Sequence, residues 1–248
     1  MRKLSYLTII LAITLFSCRK NNVINTGLNN GLVAYYPLDG NARDYTKYSN
    51  HGEITATKVS DRFGNQTKAY EFSKNFFQSK NIPVDISKQY TFSFWIQMKK
   101  YEDGMAVMEL AKNKECDYNP QIWQYNNGLY LTTASNINNS IHVFSLAGIK
   151  FGTELPRWYH VLWTVSGDTT NLYLNGMLKE TKLMPWMKRA VNNPQAFGVD
   201  LTLGNSGNAC PGEGNVSNYH NQPSNVLVDE VRVYNRILSF TEIQLLAK

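Results

Sequence analysis

Five aromatic residues, Tyr118, Trp123, Tyr125, Trp186 and Tyr219, fall in or near loop-like stretches of this 248-residue chain. They stand beside side chains that hydrogen-bond hydroxyls: Asn119, Gln121, Asn192, Asn193, Asn218, His220 and Asn221. That combination is the chemistry of carbohydrate recognition. The C–H face of a sugar packs on a ring, which supplies apolar area and a directional edge, while amides hold the hydroxyls. The five rings are therefore candidate ligand-binding residues; the alternative is that they plug the ends of a core. Bond cleavage is harder to read. Glycoside hydrolysis usually pairs two carboxylates about 5–5.5 Å apart for retention. Here Glu109 stands alone, and Asp229-Glu230 are adjacent, which sends them to opposite faces of a strand. His51, His142, His160 and His220 are dispersed, and His160, in an aromatic strand, reads as packed or capping a neighbour. There is no cysteine–histidine metal spacing, phosphate loop or nucleophile elbow. No residue is assigned a catalytic role, and the balance leans against an enzyme.

The first residues read as a targeting segment. Arg2 and Lys3 precede an apolar stretch from Leu4 to Phe16, too short for a spanning helix but right for a signal core. It ends in Leu15-Phe16-Ser17-Cys18, which resembles the lipobox of bacterial lipoproteins, with Phe16 bulkier than usual there. The resemblance implies a signal peptide over residues 1–17, lipidation of Cys18, and anchorage to a membrane of the bacterial cell envelope, outer membrane or surface. An ordinary secreted protein with an incidental Cys18 is the alternative. Residues 18–30 are Asn/Gly-rich without a periodic apolar face and read as a flexible tether; residues 31–248 form one domain. The tether is basic rather than acidic, which leaves leaflet and surface exposure open.

Composition narrows the class. The chain is 43% hydrophobic and 12% aromatic, enough for a substantial core. Without Arg2 and Lys3, 23 basic residues face 19 acidic ones, and they are scattered rather than striped. A nucleic-acid partner is rejected on that ground. Cys116 and Cys210 remain after lipidation. An exported compartment permits a disulfide between them, and free thiols are the alternative.

The elements that must position these groups are strands. Thr91 to Met98 alternates most clearly, with Phe92, Phe94, Ile96 and Met98 on one face. Further strands are read at Lys68–Phe72, Ala106–Leu110, Gln121–Tyr125, Leu129–Thr133, Ile141–Leu146, Trp158–Val165 and Leu201–Asn205. Asn126-Asn127-Gly128 and Asn175-Gly176 mark hairpin tips, since those residues tolerate positive φ. Ser239 and Glu242 have capping-box spacing for a short final helix. Trp95, Trp158 and Trp163 are assigned to the core.

The strings Leu32-Val33-Ala34-Tyr35-Tyr36-Pro37-Leu38-Asp39-Gly40 and Val226-Leu227-Val228-Asp229-Glu230-Val231-Arg232-Val233-Tyr234 resemble the first and last strands of the laminin-G-like, concanavalin A-like lectin/glucanase jelly roll. Trp158-Tyr159-His160-Val161, Leu172-Tyr173-Leu174-Asn175-Gly176 and Leu201-Thr202-Leu203-Gly204 match in the same order. The resemblance implies an all-β fold: a two-sheet antiparallel jelly-roll sandwich with a short C-terminal helix. It also implies a structural Ca2+ ion between the chain ends, held by Asp39, Asn41, Asp44 and Asp229, since calcium takes six to eight oxygens. If those carboxylates have other partners instead, they make Asx turns and an ion pair. The Glu-x-Asp-x-x-Glu string of retaining glucanases is missing, and Gln121-Ile122-Trp123 lacks the His of the alginate-lyase Gln-Ile-His string. Two segments outgrow the family pattern, 184–198 and 206–224, and are expected at one end or on one concave face near Tyr118 and Trp123. The leading expectation is a non-catalytic envelope lipoprotein that binds a glycan or polysaccharide. The alternatives are a polysaccharide-degrading hydrolase or lyase, and a structural or adhesive module with a protein partner.

Overall fold

The computed structural model describes residues 27–73, 75–99, 105–111, 120–125, 128–137, 140–151, 156–183, 197–204 and 225–248. Their strands form two antiparallel sheets. One has eight strands, in the order β13 (Met177–Leu183), β12 (Thr169–Leu174), β11 (Arg157–Ser166), β6 (Tyr90–Met98), β15 (Val226–Tyr234), β4 (Ala69–Phe72) and β3 (Thr57–Val59), with β1 (Leu32–Tyr36) also on β15. The other has seven, in the order β10 (Ser140–Lys150), β9 (Gly128–Ile137), β8 (Pro120–Tyr125), β7 (Met105–Ala111), β14 (Phe197–Gly204), β5 (Phe76–Asp85) and β2 (Glu53–Ile54). Near the C-terminus lies the helix α1 (Phe240–Leu246).

Alternation places the core between the sheets. Phe92, Phe94, Ile96 and Met98 of β6 and Val161, Trp163 and Val165 of β11 point inward. They meet Phe77 of β5, Leu110 of β7, Ile122 of β8 and Leu201 and Leu203 of β14. Tyr36 spans the gap: its ring packs edge-on against Phe77 at 4.8 Å, and its hydroxyl meets Ser79 Oγ at 2.6 Å. Of the three tryptophans assigned to the core, only Trp163 belongs to this interior. Trp95 is buried on the opposite face of β6 beneath Arg62, and Trp158 is half-buried.

The first and last strands pair antiparallel, with Tyr35 opposite Arg232 and Tyr36 opposite Val231. One edge of β15 thus serves two partners in turn: residues 226–228 pair with β4 and residues 231–234 with β1. Between them lies a bulge, with Glu230 at φ 58°. A bulge bends a strand and re-aims its side chains. Asp229 and Arg232 consequently both stand on the outer face, opposite Trp95 and Ser93. The Asn175-Gly176 tip is present, both residues at positive φ, as a type I′ hairpin needs. Ser239 caps α1, its backbone N–H donating to Glu242 Oε2 at 2.8 Å.

Two readings change. Strand β5 escapes the sequence pattern because Asn81, at φ 56°, and Pro83 interrupt its alternation. The last residues assigned to the tether are docked rather than loose. Arg236 donates to the carbonyls of Gly27 and Asn30, and Leu28 packs with Leu162, Leu238 and Ile243. The packed domain therefore includes residue 27 onward.

Candidate functional site

The outer face of the seven-stranded sheet carries an unbroken polar row. Reading across the strands in register, it runs Glu53, Gln78, Thr202, Glu109 and Gln121. Inward neighbours such as Phe77, Leu110, Ile122 and Leu203 are core residues, so the period of two turns this row outward. At its centre the side chains are tied together. Gln121 Nε2 donates to Glu109 Oε1 at 2.9 Å, and Trp123 Nε1 donates to Gln121 Oε1 at 2.9 Å. Glu109, Gln121, Thr202 and Trp123 are all buried. This array is preorganised, because each amide end is committed and the glutamine cannot flip without losing both bonds.

Beside the row lies an open cleft of about 550 Å³. Trp123 pairs across the sheet with Tyr130, and Tyr130 with Gly148. A Cβ at position 148 would lie 2.2 Å from Tyr130 Cε1, so the ring lies directly over the glycine. Gly148 is on β10, the edge strand, and β13 is the edge of the other sheet. Glu180 of β13 closes the seam by accepting from the Gly148 N–H at 2.7 Å. An exposed strand edge is a pairing hazard, and a carboxylate on its free N–H blunts it. Leu174 and Ile149 also line the cleft, whose rim carries Lys150, Lys179 and Lys182.

The residues expected from sequence divide. Trp123 is in β8, two residues before its end, and only 9% exposed; it alternates with the core residue Ile122 and so stands on the outer face. Tyr125 ends β8 opposite Gly128. Tyr118, Trp186, Tyr219, Cys116, Cys210 and Cys18 lie outside the described residues. Segments 184–198 and 206–224 flank one strand, β14, so they leave from its opposite ends and their roots do not share one end of the sandwich. The outer face of the seven-stranded sheet lies between those roots.

The calcium set is not assembled. Asp44 Oδ1 accepts from the backbone N–H of Tyr35 and Thr46, and its Oδ2 from Asn50 N–H and the Thr46 hydroxyl. Asp39 faces Lys68 at 3.6 Å, and Asn41 bonds within its own turn. Asp229 meets Arg62 Nη1 at 3.3 Å on the outer face of the eight-stranded sheet. Among the described residues no group of three or more Asp, Glu, His or Cys is arranged to hold a metal ion. These residues do not fit the ion: the bulge in β15 turns Asp229 toward the arginine, and Asx bonding consumes Asp44.

Sequence reasoning missed Tyr130, Lys150, Lys179 and Lys182. Tyr130 had a readable signal, as the outward position between the core residues Leu129 and Leu131. The lysines had none, since only the meeting of two sheet edges brings them together.

A laminin G-type family model of the concanavalin A-like lectin/glucanases superfamily matches residues 73–244. The chain belongs to that superfamily. No curated protein matches this superfamily member by sequence. Solved structures match it in fold. The botulinum neurotoxin DC binding domain, solved with rat synaptotagmin II, superposes at TM-score 0.62 and 14% identity over 88% of this chain and 51% of that one. The botulinum serotype C1 binding domain gives TM-score 0.63 and 13% identity, over 89% and 52%. The chain thus spans about half the length of these toxin domains. Domain 4 of AbnA, a GH43 extracellular arabinanase from Geobacillus stearothermophilus in complex with arabinotriose, gives TM-score 0.59 and 18% identity, over 88% and 98%. Such identities establish the concanavalin A-like fold alone.

Proposed function

We propose that this protein is a non-catalytic glycan-binding module of the cell envelope. The observation that carries the reading is Tyr130, whose ring is laid over Gly148 in an open cleft beside a rigid polar row. A half-buried ring supplies the stacking platform, and Trp123 holds Gln121 in place next to it. The arabinanase domain, with arabinotriose, supports the reading, since this chain covers nearly all of it. Lipidation at Cys18 belongs to the same proposal: an anchor would keep the binder at the envelope, each buried methylene contributing about 0.8 kcal/mol. In a bacterial host, Cys18→Ser should abolish incorporation of radiolabelled palmitate and release the chain from the membrane fraction. Unchanged labelling would remove the anchor from the reading.

The binding test is a glycan array with the full chain in detergent. Tyr130→Ala should abolish the signal and leave the melting temperature within about 2 °C, because the ring packs over a glycine rather than in the core. Trp123→Ala should lower melting as well, because that ring is nearly enclosed. If Tyr130→Ala binds as the parent does, the cleft is not the site.

Hydrolysis is the second reading, favoured by one specific observation. Asp200 pairs with Ala111, which makes it the diagonal neighbour of Glu109 across β7 and β14. Diagonal neighbours have backbone positions about 7–8 Å apart, a spacing from which two carboxylates can reach the separation that inverting glycosidases use. Asp200 Oδ1 accepts from Asn81 N–H, and Glu109 is tied to Gln121, so both carboxylates hold structural bonds. Release of reducing ends from any bound polysaccharide, lost in Glu109→Gln, would establish hydrolysis instead.

A further inference from the structure

We infer that the cleft selects anionic glycans, those bearing a carboxylate or sulfate on the sugar, through Lys150, Lys179 and Lys182. The inference rests on the glycan-binding reading above and names the ligand class of that same cleft. Three cations converge on one opening from two edge strands, β10 and β13, that belong to different sheets. None of the three has an ion pair among the described residues. Among the described residues, the one carboxylate that lines the cleft, Glu180, is already engaged by the Gly148 N–H. The rim thus keeps a positive excess that nothing described neutralises.

Edge lysines also serve to discourage strand pairing, and that role would spread them along the edges. Here they sit around an opening that also holds an aromatic ring, and the two features together fit a charged sugar. Its ring would stack on Tyr130, and its anionic group would lie among the ammonium groups. A lysine is a compact point charge with rotatable donors, without the planar fork that makes an arginine select one anion geometry. Carboxylate and sulfate therefore share the chemistry, and the choice between them belongs to the test. A cleft of about 550 Å³ is of ordinary size for a small-ligand site.

The full chain in detergent is titrated with three probes: an oligogalacturonate, the same oligomer fully methyl-esterified, and a heparin oligosaccharide. The expected result is binding of at least one anionic probe, at least tenfold tighter than the neutral ester and weakening as salt rises from 50 to 300 mM. Preference between the two anionic probes identifies the source of the charge. Lys150→Gln/Lys179→Gln/Lys182→Gln should lose at least tenfold in affinity for the preferred anion with melting unchanged, since all three side chains are exposed. The corresponding triple Lys→Arg variant should retain binding, which separates charge from packing. Equal binding of neutral and anionic oligomers, or an unaffected glutamine variant, overturns the inference and leaves the glycan-binding reading standing. A glycan array with no binding to any sugar overturns both.

Discussion

Arg62→Ala will lower the unfolding free energy by about 3–5 kcal/mol, the cost of removing one partner of a buried ion pair. Asp229 is fully enclosed and Arg62 is 14% exposed, with Nη1 to Oδ2 at 3.3 Å. The guanidinium is also held between two rings, 4.3 Å from the centroid of Phe63 and 4.4 Å from that of Trp95. Truncation therefore removes a cation paired with an enclosed carboxylate and a stacked plane at once. Arg62→Lys should recover only part of the loss, because an ammonium cannot stack as a plane. The double change Arg62→Met/Asp229→Leu should cost less than Arg62→Ala, since the charge and its counter-charge leave together. Lys99→Ala is the control: its bond to Glu71 is short, but Lys99 is 48% exposed, which limits the pair to less than about 1 kcal/mol. Urea midpoints measure all four. A drop for Arg62→Ala no larger than that of Lys99→Ala would show that the pair is not structural.

Acidification from pH 7 to pH 5 will destabilise the protein by about 2 kcal/mol through His160. Burial is the main cause that holds its imidazole down, to about 3, with Arg232 and Arg62 adding repulsion and Glu230 opposing them. Its Nε2 meets Ser93 Oγ at 2.9 Å, and the Trp95 ring lies 5.4 Å away. The sign follows from proton counting. Below about 6.5 the unfolded chain takes up a proton on this histidine, while the folded chain refuses it until the pH nears 3. The unfolded state therefore gains, and stability is lost as pH falls through that window. Glu242, pulled down to about 2 chiefly by its hydrogen bond from Arg236, loses its contribution only at lower pH. Urea midpoints at pH 7 and pH 5 test this, beside His160→Gln, which should be less stable at pH 7 and have a flatter pH profile. An equal slope in the variant would assign the acid sensitivity elsewhere.

The terminal strands were legible because both faces of each carry a signal. Leu32 to Tyr36 and Val226 to Tyr234 combine apolar inward positions with polar outward ones, and they pair as neighbours. Strand β6 read correctly for the same reason, and the Asn175-Gly176 hairpin because only a few residues accept two consecutive positive φ values. The site was legible only in fragments. The strand that carries Trp123 was legible from Gln121 to Tyr125, but the burial of its ring was not, since that depends on the neighbouring strands. Asp229 is expected as a calcium ligand because the family resemblance sets the last strand beside the first. Arg62, which pairs with it, is 167 positions away and enters through the segment between β3 and β4.

Local pattern alone determined where most strands lie, the inward set of β6, the capped final helix and the expectation of an exported chain. These depend on periodicity and turn chemistry, which act over a few residues. Tertiary structure alone decided that Glu109, Gln121 and Thr202 form one row, that β15 bulges between two partners, and that Lys150 meets Lys179 and Lys182 around Tyr130. Each depends on register and on which sheet edges abut. Those are set by burial of the whole apolar surface at once, and no short window of sequence contains that sum.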